Sequence, residues 1–340
     1  MQLGNRISGE MSMPITPKLV TIFGGSGFVG RYIAQRMARN GWRVRVAVRR
    51  PNEAMHVLPY GEVGQVTLVQ ANVRDEASTR AAIRGADAVV NCVGILAENS
   101  RQKFDVVHAE AASRIARIST EEGVNRLVHF SALGADANAE SVYMQSKAQG
   151  EASVLENYPN AVVLQPSVIF GNEDGFFNMF GTISRYSPIV PIVGAETRFQ
   201  PVFVEDVAAA AENAILGDMR GTYLLGGPDV ESMRELMQRM LRVVRRQRFI
   251  INLPFWMARI NAFFIEIWHK LTLGIVPLVL TRDQVKQLAV DNVVPAGANG
   301  LAELGVHATS MEAVLDSYLY RFRPQGQYTD LTRSAKNLHR

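Results

Sequence analysis

The sequence predicts an α/β fold, a doubly wound parallel sheet joined to a smaller, mostly helical C-terminal region. Three observations carry this. The β-rich run Val20–Phe23 passes through a glycine-rich turn into a helical pattern at Arg31–Met37. Short apolar runs then alternate with helical patterns as far as residue 228, the rhythm of parallel strands joined by crossover helices. Beyond that point the pattern is helical and rich in Met, Arg and aromatic residues.

The first element is a strand, because Val20–Phe23 is the unbroken apolar run of a strand buried on both faces. Gly24, Gly27 and Gly30 follow at three-residue spacing. Gly24 is expected to make the tight turn, Gly27 to leave space for a pyrophosphate, and Gly30 to let the helix pack closely on the sheet. With Gly25, Ser26, Phe28 and Val29 they form a candidate phosphate loop, and the helix start adds free N–H groups and a positive dipole end. An ordinary glycine-rich turn is the alternative, and it does not require the strand–turn–helix context found here.

Arg43–Val48 reads as the second strand, ending in Arg49-Arg50-Pro51. An acidic residue at this point would bind the adenosine ribose hydroxyls, whereas two arginines would grip a 2′-phosphate and favour NADPH over NADH. Solvated loop arginines are the alternative. Val66–Val69 is the third strand, and the turn after it places Asn72 and Val73 where an adenine would lie. Ala88–Cys92 is the fourth, with Cys92, Val93 and Gly94 at the cofactor edge. Cys92 is read as a small buried hydrophobe rather than a nucleophile. Phe104–Glu122 is expected to be one long helix, Arg126–Phe130 the fifth strand, and Ala161–Gln165 the sixth, followed by Pro166 and Val168.

Ser131 closes the fifth strand, and Tyr143 and Lys147 share one face of the next helix at i,i+4 spacing. An ammonium there would lower the Tyr143 pKa, and the Ser131 hydroxyl could orient a carbonyl. If the chain is an enzyme, these three are its candidate catalytic residues. On spacing alone the Tyr/Lys pair arises easily by chance. Its place after the fifth strand makes it a candidate.

The glycine pattern, Asn91–Gly94, Ser131, Tyr143 with Lys147, Leu164–Gly171 and Val202–Ala208 together resemble the extended and atypical short-chain dehydrogenase/reductases. That resemblance covers Lys18–Pro228 and implies a Rossmann-like, NAD(P)-binding domain over residues 18–228.

Net charge is unevenly placed. Residues 1–230 hold 21 basic and 23 acidic side chains, and residues 231–340 hold 15 and 9, so the basic excess marks the C-terminal third as the part that meets a partner or a surface. Met233, Leu236, Met237, Met240, Leu241 and Val244 recur at helical spacing as a core stripe. Arg234, Arg239, Arg242, Arg245, Arg246 and Arg248 surround it. Phe249–Leu280 is the most apolar stretch, but Pro254, Arg259, Asn261, Glu266, His269, Lys270 and Pro277 interrupt it, so no bilayer span is expected. From Pro254 to Leu271 it reads as a helix apolar almost all round, either buried in protein or laid in a membrane interface. Thr281–Gln284 offers a capping box, and Ser310–Tyr320 a last helix. Residues 229–323 thus form a basic, apolar region facing a membrane or partner, and 324–340 a flexible tail.

Leu280–Leu288, Asp291–Val294, Tyr318–Arg321, and Val168–Gly171 with Phe176–Asn178 are similar to the nucleotide-binding accessory subunits of respiratory complex I, the NADH:ubiquinone oxidoreductase alpha-subcomplex family. The resemblance implies a tightly held NADPH, no independent turnover, and docking on the peripheral arm near the membrane and quinone site, with no metal and no nucleic acid. The opening Met1–Lys18 lacks the features of a secretory signal or transit peptide, and residues 1–17 are read as an extension, which fits a bacterial form on the cytoplasmic side of the inner membrane. A sole cysteine, Cys92, excludes a disulfide framework and suits a reducing compartment. Two other readings stay open: a free NADPH-dependent reductase or epimerase-like enzyme acting on a quinone or isoprenoid-type substrate, and a nucleotide sensor without catalysis.

Overall fold

The computed structural model describes residues 17–98, 102–272 and 280–328. The expectations for residues 1–16, Pro277 and the tail from residue 329 lie outside the described residues.

β1 (Leu19–Phe23) is buried at every position, as a strand between two neighbours and two helical layers must be. α1 (Phe28–Arg39), β2 (Arg43–Val48), β3 (Val66–Gln70), α2 (Glu76–Ile83) and β4 (Ala88–Asn91) follow. The single helix expected over 104–122 is instead a π-helical segment, Asp105–Glu110, running into α3 (Ala111–Glu121). This wide turn lies where the next helix presses hardest: a Cβ on Gly150 would come within 2.2 Å of the His108 carbonyl oxygen. Then come β5 (Arg126–Phe130), α4 (Val142–Asn157), β6 (Val162–Pro166), β7 (Ile169–Phe170), α5 (Phe176–Tyr186) and β8 (Ile189–Val193). β9 (Arg198–Phe199), β10 (Val202–Phe203), α6 (Val204–Leu216) and β11 (Gly221–Leu225) complete the part of the chain that builds the main sheet.

That sheet has seven parallel strands in the order β11-β6-β5-β4-β1-β2-β3. β1 sits between β2 and β4, with Val20 opposite Val44 on one side and Ala88 on the other. This is the point where strand order reverses, and ligands of such sheets bind at the strand ends there. Six strands match the expectation. The seventh, β11, is not evident in the sequence, because it opens on Gly221 in the left-handed region (φ 85) and is only five residues long. One face of the sheet packs on α1 and α6, together with Leu301, Leu304 and Val306 from the C-terminal part of the chain. The other packs on α2, α3 and α4.

β12 (Glu231–Ser232) leads into α7 (Met233–Val243), whose start is a capping box between Ser232 and Glu235. All six residues of the Met-rich stripe are buried, with Phe177, Leu315 and Tyr318, in a core built by α5, α7 and α10 (Met311–Leu319). β13 (Phe249–Leu253) pairs in parallel with β8. α8 (Phe255–Leu271) and α9 (Arg282–Gln287) follow, the latter opened by the expected capping box at Thr281 and Gln284. α8 is not a buried helix. It touches the body through Ala258 and Ala262, against Val193 and Val285, while Trp256 (62%), Phe264 (53%) and Trp268 (59%) stand in solvent. Among the described residues, no helix is long and apolar enough to cross a membrane.

Candidate functional site

The residues singled out in the sequence gather along the C-terminal edge of the sheet, each just past the end of its strand: Gly24 after β1, Arg49 and Arg50 after β2, Asn72 and Val73 after β3, Cys92 to Gly94 after β4, Ser131 after β5, and Val168 beyond Pro166 of β6. Gly24 turns at φ 74, and a Cβ on it would approach the Cys92 carbonyl oxygen at 3.2 Å, so both its backbone and its lack of side chain are needed. Its N–H donates to the Ala47 carbonyl and its own carbonyl accepts from Gly27 (2.9 Å). A Cβ on Gly27 would meet nothing but that carbonyl within 4 Å, which leaves open the space the loop encircles. Gly30 is close to the loop rather than the sheet: its Cβ would fall 2.4 Å from the Gly24 oxygen and 2.7 Å from the Gly25 Cα. α1 starts at Gly27 without a side-chain cap and without an acidic residue in its first turn. Its N–H groups and dipole are therefore available to an anion. The loop fits a pyrophosphate.

Arg49 and Arg50 are exposed, and Arg50 pairs with Glu53 at 2.9 Å. The Asn72 side chain accepts from the Arg74 N–H, and its own N–H donates to Ser78, which shapes the turn after β3. Asn91 fixes the other wall by accepting from the Val93 N–H.

The three candidate catalytic residues are near one another but not joined. Lys147 is buried, and its ammonium donates to the Phe130 carbonyl at 3.0 Å. It lies 6.0 Å from the centre of the Tyr143 ring. No hydrogen bond links the Tyr143 hydroxyl to Ser131 or Lys147. Burial pushes the Tyr143 pKa up to about 12, against the expectation that Lys147 would lower it. The physical reason is desolvation of the phenolate, while the Lys147 ammonium bonds a backbone carbonyl rather than the hydroxyl. Burial likewise draws Lys147 down to about 8 and raises the Cys92 thiol, which supports the structural reading of that cysteine.

The Tyr143 ring packs edge-on against Phe104 (5.6 Å) and His108 (5.4 Å). His108 is the residue the sequence does not flag. Its Nε2 accepts from the Ile95 N–H at 3.0 Å, and its Nδ1 lies 2.9 Å from Ser146 Oγ, whose own proton goes to the Tyr143 carbonyl. Those partners assign the neutral ring with its proton on Nδ1. Burial and Lys147 hold its pKa down at about 3. His108 thus ties the loop after β4 to α4.

A second unflagged residue is Asp283 on α9. Its carboxylate accepts from Ser141 Oγ (2.7 Å), the Val142 N–H (2.8 Å) and the Tyr143 N–H (3.2 Å), while Ser141 accepts from Met144. The first three N–H groups of α4 are all satisfied in this way. Lys286 donates to the Glu140 carbonyl, and Glu266 on α8 accepts from both the backbone and the guanidinium of Arg282. Only the capping box of α9 is visible in the sequence; no local pattern predicts a contact with a residue 140 positions away. No group of three or more His, Cys, Asp or Glu arranged for a metal is found among the described residues.

Residues 24–167 match the NAD(P)H-binding family, the span from the glycine loop to the end of β6. Over 94% of its length the chain is 31% identical to the NADH dehydrogenase [ubiquinone] 1 alpha subcomplex subunit 9, mitochondrial, of Arabidopsis thaliana, and covers 81% of that protein. The chain belongs to that family. This member of the alpha-subcomplex subunit 9 family is also 26% identical to a ceramide reductase of Caulobacter vibrioides, over 75% of this chain and 79% of the other. Among solved structures, the UDP-glucose 4-epimerase of Thermus thermophilus in complex with NAD superposes on this chain with TM-score 0.67, 16% identity, and coverage of 90% of this chain and 99% of the other. At that identity the likeness is one of fold. It agrees with the seven-stranded parallel sheet between two helical layers described above.

Proposed function

We propose that the chain is an NADPH-binding accessory subunit of a proton-pumping NADH:ubiquinone oxidoreductase, in which the nucleotide supports the stability and assembly of the peripheral arm near the membrane and quinone site. The observation that carries this is the state of the triad. Tyr143 has its proton held by burial, Lys147 is spent on a backbone carbonyl, and the Ser131 hydroxyl reaches neither. A bound nicotinamide would supply a hydride, but these residues are arranged to hold a ring and a ribose rather than to pass a proton. The glycine loop binds the pyrophosphate, Asn72 and Val73 flank the adenine, Gly94, Pro166 and Val168 shape the nicotinamide end, and Arg49 with Arg50 take the 2′-phosphate. Residues 18–228 form the nucleotide domain and 229–323 the region that meets partners, the other subunits of the peripheral arm and an anionic membrane surface on the cytoplasmic side of the inner membrane. The exposed aromatic residues of α8, Trp256, Phe264 and Trp268, support a peripheral association.

A second reading, a reductase on a quinone or isoprenoid-type substrate, keeps a foothold because Ser131, Tyr143 and Lys147 are all present. Two variants compared side by side separate the readings. A ligand that binds only the folded chain adds ~2.7 kcal/mol at a hundredfold excess over its dissociation constant. Gly27→Val fills the pyrophosphate space, so the apo chain should lose thermal stability and fail to join its complex. Tyr143→Phe should assemble and leave quinone reduction unchanged. A folded, nucleotide-bound Tyr143→Phe chain without activity would overturn the accessory reading.

A further inference from the structure

Residues 281–294 bond to the start of α4 and to the loops after β5 and β6, the parts of the chain that carry Tyr143, Ser131 and Val168. α9 takes the first of these. Asp283 accepts from Ser141 and from the Val142 and Tyr143 N–H groups, Gln287 Nε2 donates to Ser141 Oγ (3.2 Å), and Lys286 Nζ donates to the Glu140 carbonyl (3.0 Å). Further on, Asn292 bridges the two loops. Its Nδ2 donates to the Leu133 carbonyl (3.0 Å), and its Oδ1 accepts from Ser167 Oγ (2.6 Å). Leu133 and Ser167 are both buried, and Ser167 stands between Pro166 and Val168 at the nicotinamide end.

The same segment is anchored on its other side. Thr197 Oγ1 donates to the Leu288 carbonyl (2.7 Å), and a Cβ on Gly194 would fall 2.5 Å from that oxygen. Asp291 accepts from the Arg198 N–H and guanidinium, both at 2.8 Å. The Asn292 N–H donates to the Arg198 carbonyl (2.8 Å), its carbonyl accepts from the Gln200 N–H (3.1 Å), and Gln200 Oε1 accepts from the Val294 N–H (2.9 Å). Both ends of the Asn292 amide and both of its backbone groups are therefore used within the chain. A hydride acceptor must come within about 3.5 Å of the nicotinamide to react. To use Ser131 or Tyr143 as well, it must enter between the loops after β5 and β6 and the start of α4. Asn292 and Asp283 already join those three elements.

We propose that residues 281–294 form a built-in strap over the substrate side of the nucleotide site, pinned by Asn292 and Asp283, which walls the nicotinamide off from hydride acceptors. The proposal deepens the accessory reading above and rests on it, since a reduced nucleotide held without turnover needs its ring shielded. Asn292 and Asp283 are positioning residues, acting through the loops and the helix start they hold. Asn292→Ala leaves the buried Leu133 carbonyl and Ser167 hydroxyl without that partner, so the strap should open more often while the pyrophosphate loop stays intact.

The test mixes the full chain, carrying one equivalent of NADPH, with phenazine methosulfate, a small soluble acceptor that takes hydride directly from free NADPH to give NADP+ and the reduced phenazine. Loss of the dihydronicotinamide absorbance is followed beside the rate at which excess NADP+ displaces the nucleotide. In wild type, oxidation should run no faster than the nucleotide leaves. Asn292→Ala and Asp283→Ala should oxidise bound NADPH about tenfold faster, the worth of one buried hydrogen-bonded group in the open fraction, with displacement unchanged. Tyr158→Phe is the control for general loosening, because it removes a buried bond to the Val124 carbonyl at the far end of α4 and should keep the wild-type rate. Where Asn292→Ala loses its fold, Ser167→Ala deletes one of the same bonds and should change the rate in the same direction. Wild-type rates in the strap variants would overturn the proposal. So would equal acceleration in Tyr158→Phe, or bound NADPH oxidised in wild type as fast as free NADPH. Steady turnover of a quinone by wild type that Tyr143→Phe abolishes would refute the accessory reading itself, and a chain that retains no NADPH would refute the nucleotide reading.

Discussion

Positive charge gathers in two places on the molecule, and they are built by opposite means. At the start of α1 the positive field comes from backbone: uncapped N–H groups, a helix dipole and glycines that keep side chains out of the way. At the end of α7 it comes from five guanidinium groups, one of them forced into a backbone conformation that suits glycine better. The first site is specified by the absence of atoms, and the second by their presence. A backbone site has fixed geometry and is destroyed by added bulk. A side-chain site tolerates bulk and fails by loss of charge. Salt should weaken the second in particular, since charges acting at long range are screened beyond about 10 Å at 0.1 M, whereas the first acts through direct backbone hydrogen bonds.

The largest effect should come from adding one carbon to the first site. Gly30→Ala sets a Cβ 2.4 Å from one loop backbone atom and 2.7 Å from another, neither of which can rotate away. Overpacking of this kind costs on the order of 3 kcal/mol. Chemical denaturation should show that loss together with loss of bound nucleotide, while vesicle binding by the folded fraction persists. Unchanged nucleotide retention would remove the contrast between the sites.

Acid should act on the nucleotide-binding part through two histidines. His108 and His129 are buried, each with its pKa lowered from 6.5 to about 3. The unfolded chain takes up these protons first, so the stability they confer is complete above pH 6.5 and is lost as pH falls through that window towards 3. Each ring contributes a slope of about 1.4 kcal/mol per pH unit there. Stability measured across this range should fall less steeply in His108→Gln than in wild type, by about 1.4 kcal/mol per pH unit. Equal slopes would show that His108 is not held neutral.

A smaller effect is expected where the nucleotide site does use side chains. Replacing Arg49 by Asp and Arg50 by Ala should weaken NADPH by about 1.5–3 kcal/mol per lost charge-assisted bond and leave NADH nearly untouched. Equal weakening of both nucleotides would sink the assignment of these arginines to a 2′-phosphate. Tyr143→Phe should be smallest of all. Its hydroxyl has no bond to Ser131 or Lys147, so a shift in stability within about 0.5 kcal/mol is expected. A larger change would reveal a partner for the hydroxyl in the nucleotide-bound chain.

The contrast also explains what is legible in the sequence. Glycines at fixed spacing between a strand and a helix announce a backbone site, because each answers a local steric demand. The Met stripe of α7 is legible for the same reason, since burial on one helix face imposes a period. The exposure of α8 is not. Its all-round apolar character fits burial and exposure equally, and only the thin alanine contact with Val193 and Val285 decides between them. His108 and Asp283 are invisible because their partners lie far along the chain. The Tyr143–Lys147 spacing does mark a shared helix face, but the lowered Tyr143 pKa it implies is not found, since burial of the phenol dominates and the ammonium bonds the Phe130 carbonyl rather than the hydroxyl. β11 escapes because a five-residue strand opening on glycine has little pattern to show.

The cap that Asp283 places on α4 has a consequence for how the chain is made. Synthesis delivers Tyr143 and Lys147 long before the carboxylate that closes the first turn of their helix. A ribosome-bound chain that ends at residue 280 has α4 with the Val142 and Tyr143 N–H groups unpaired, however complete the seven-stranded sheet behind it. The nucleotide pocket therefore reaches its final form only after α8 has left the ribosome. Maturation of the oldest part of the chain waits on nearly the youngest.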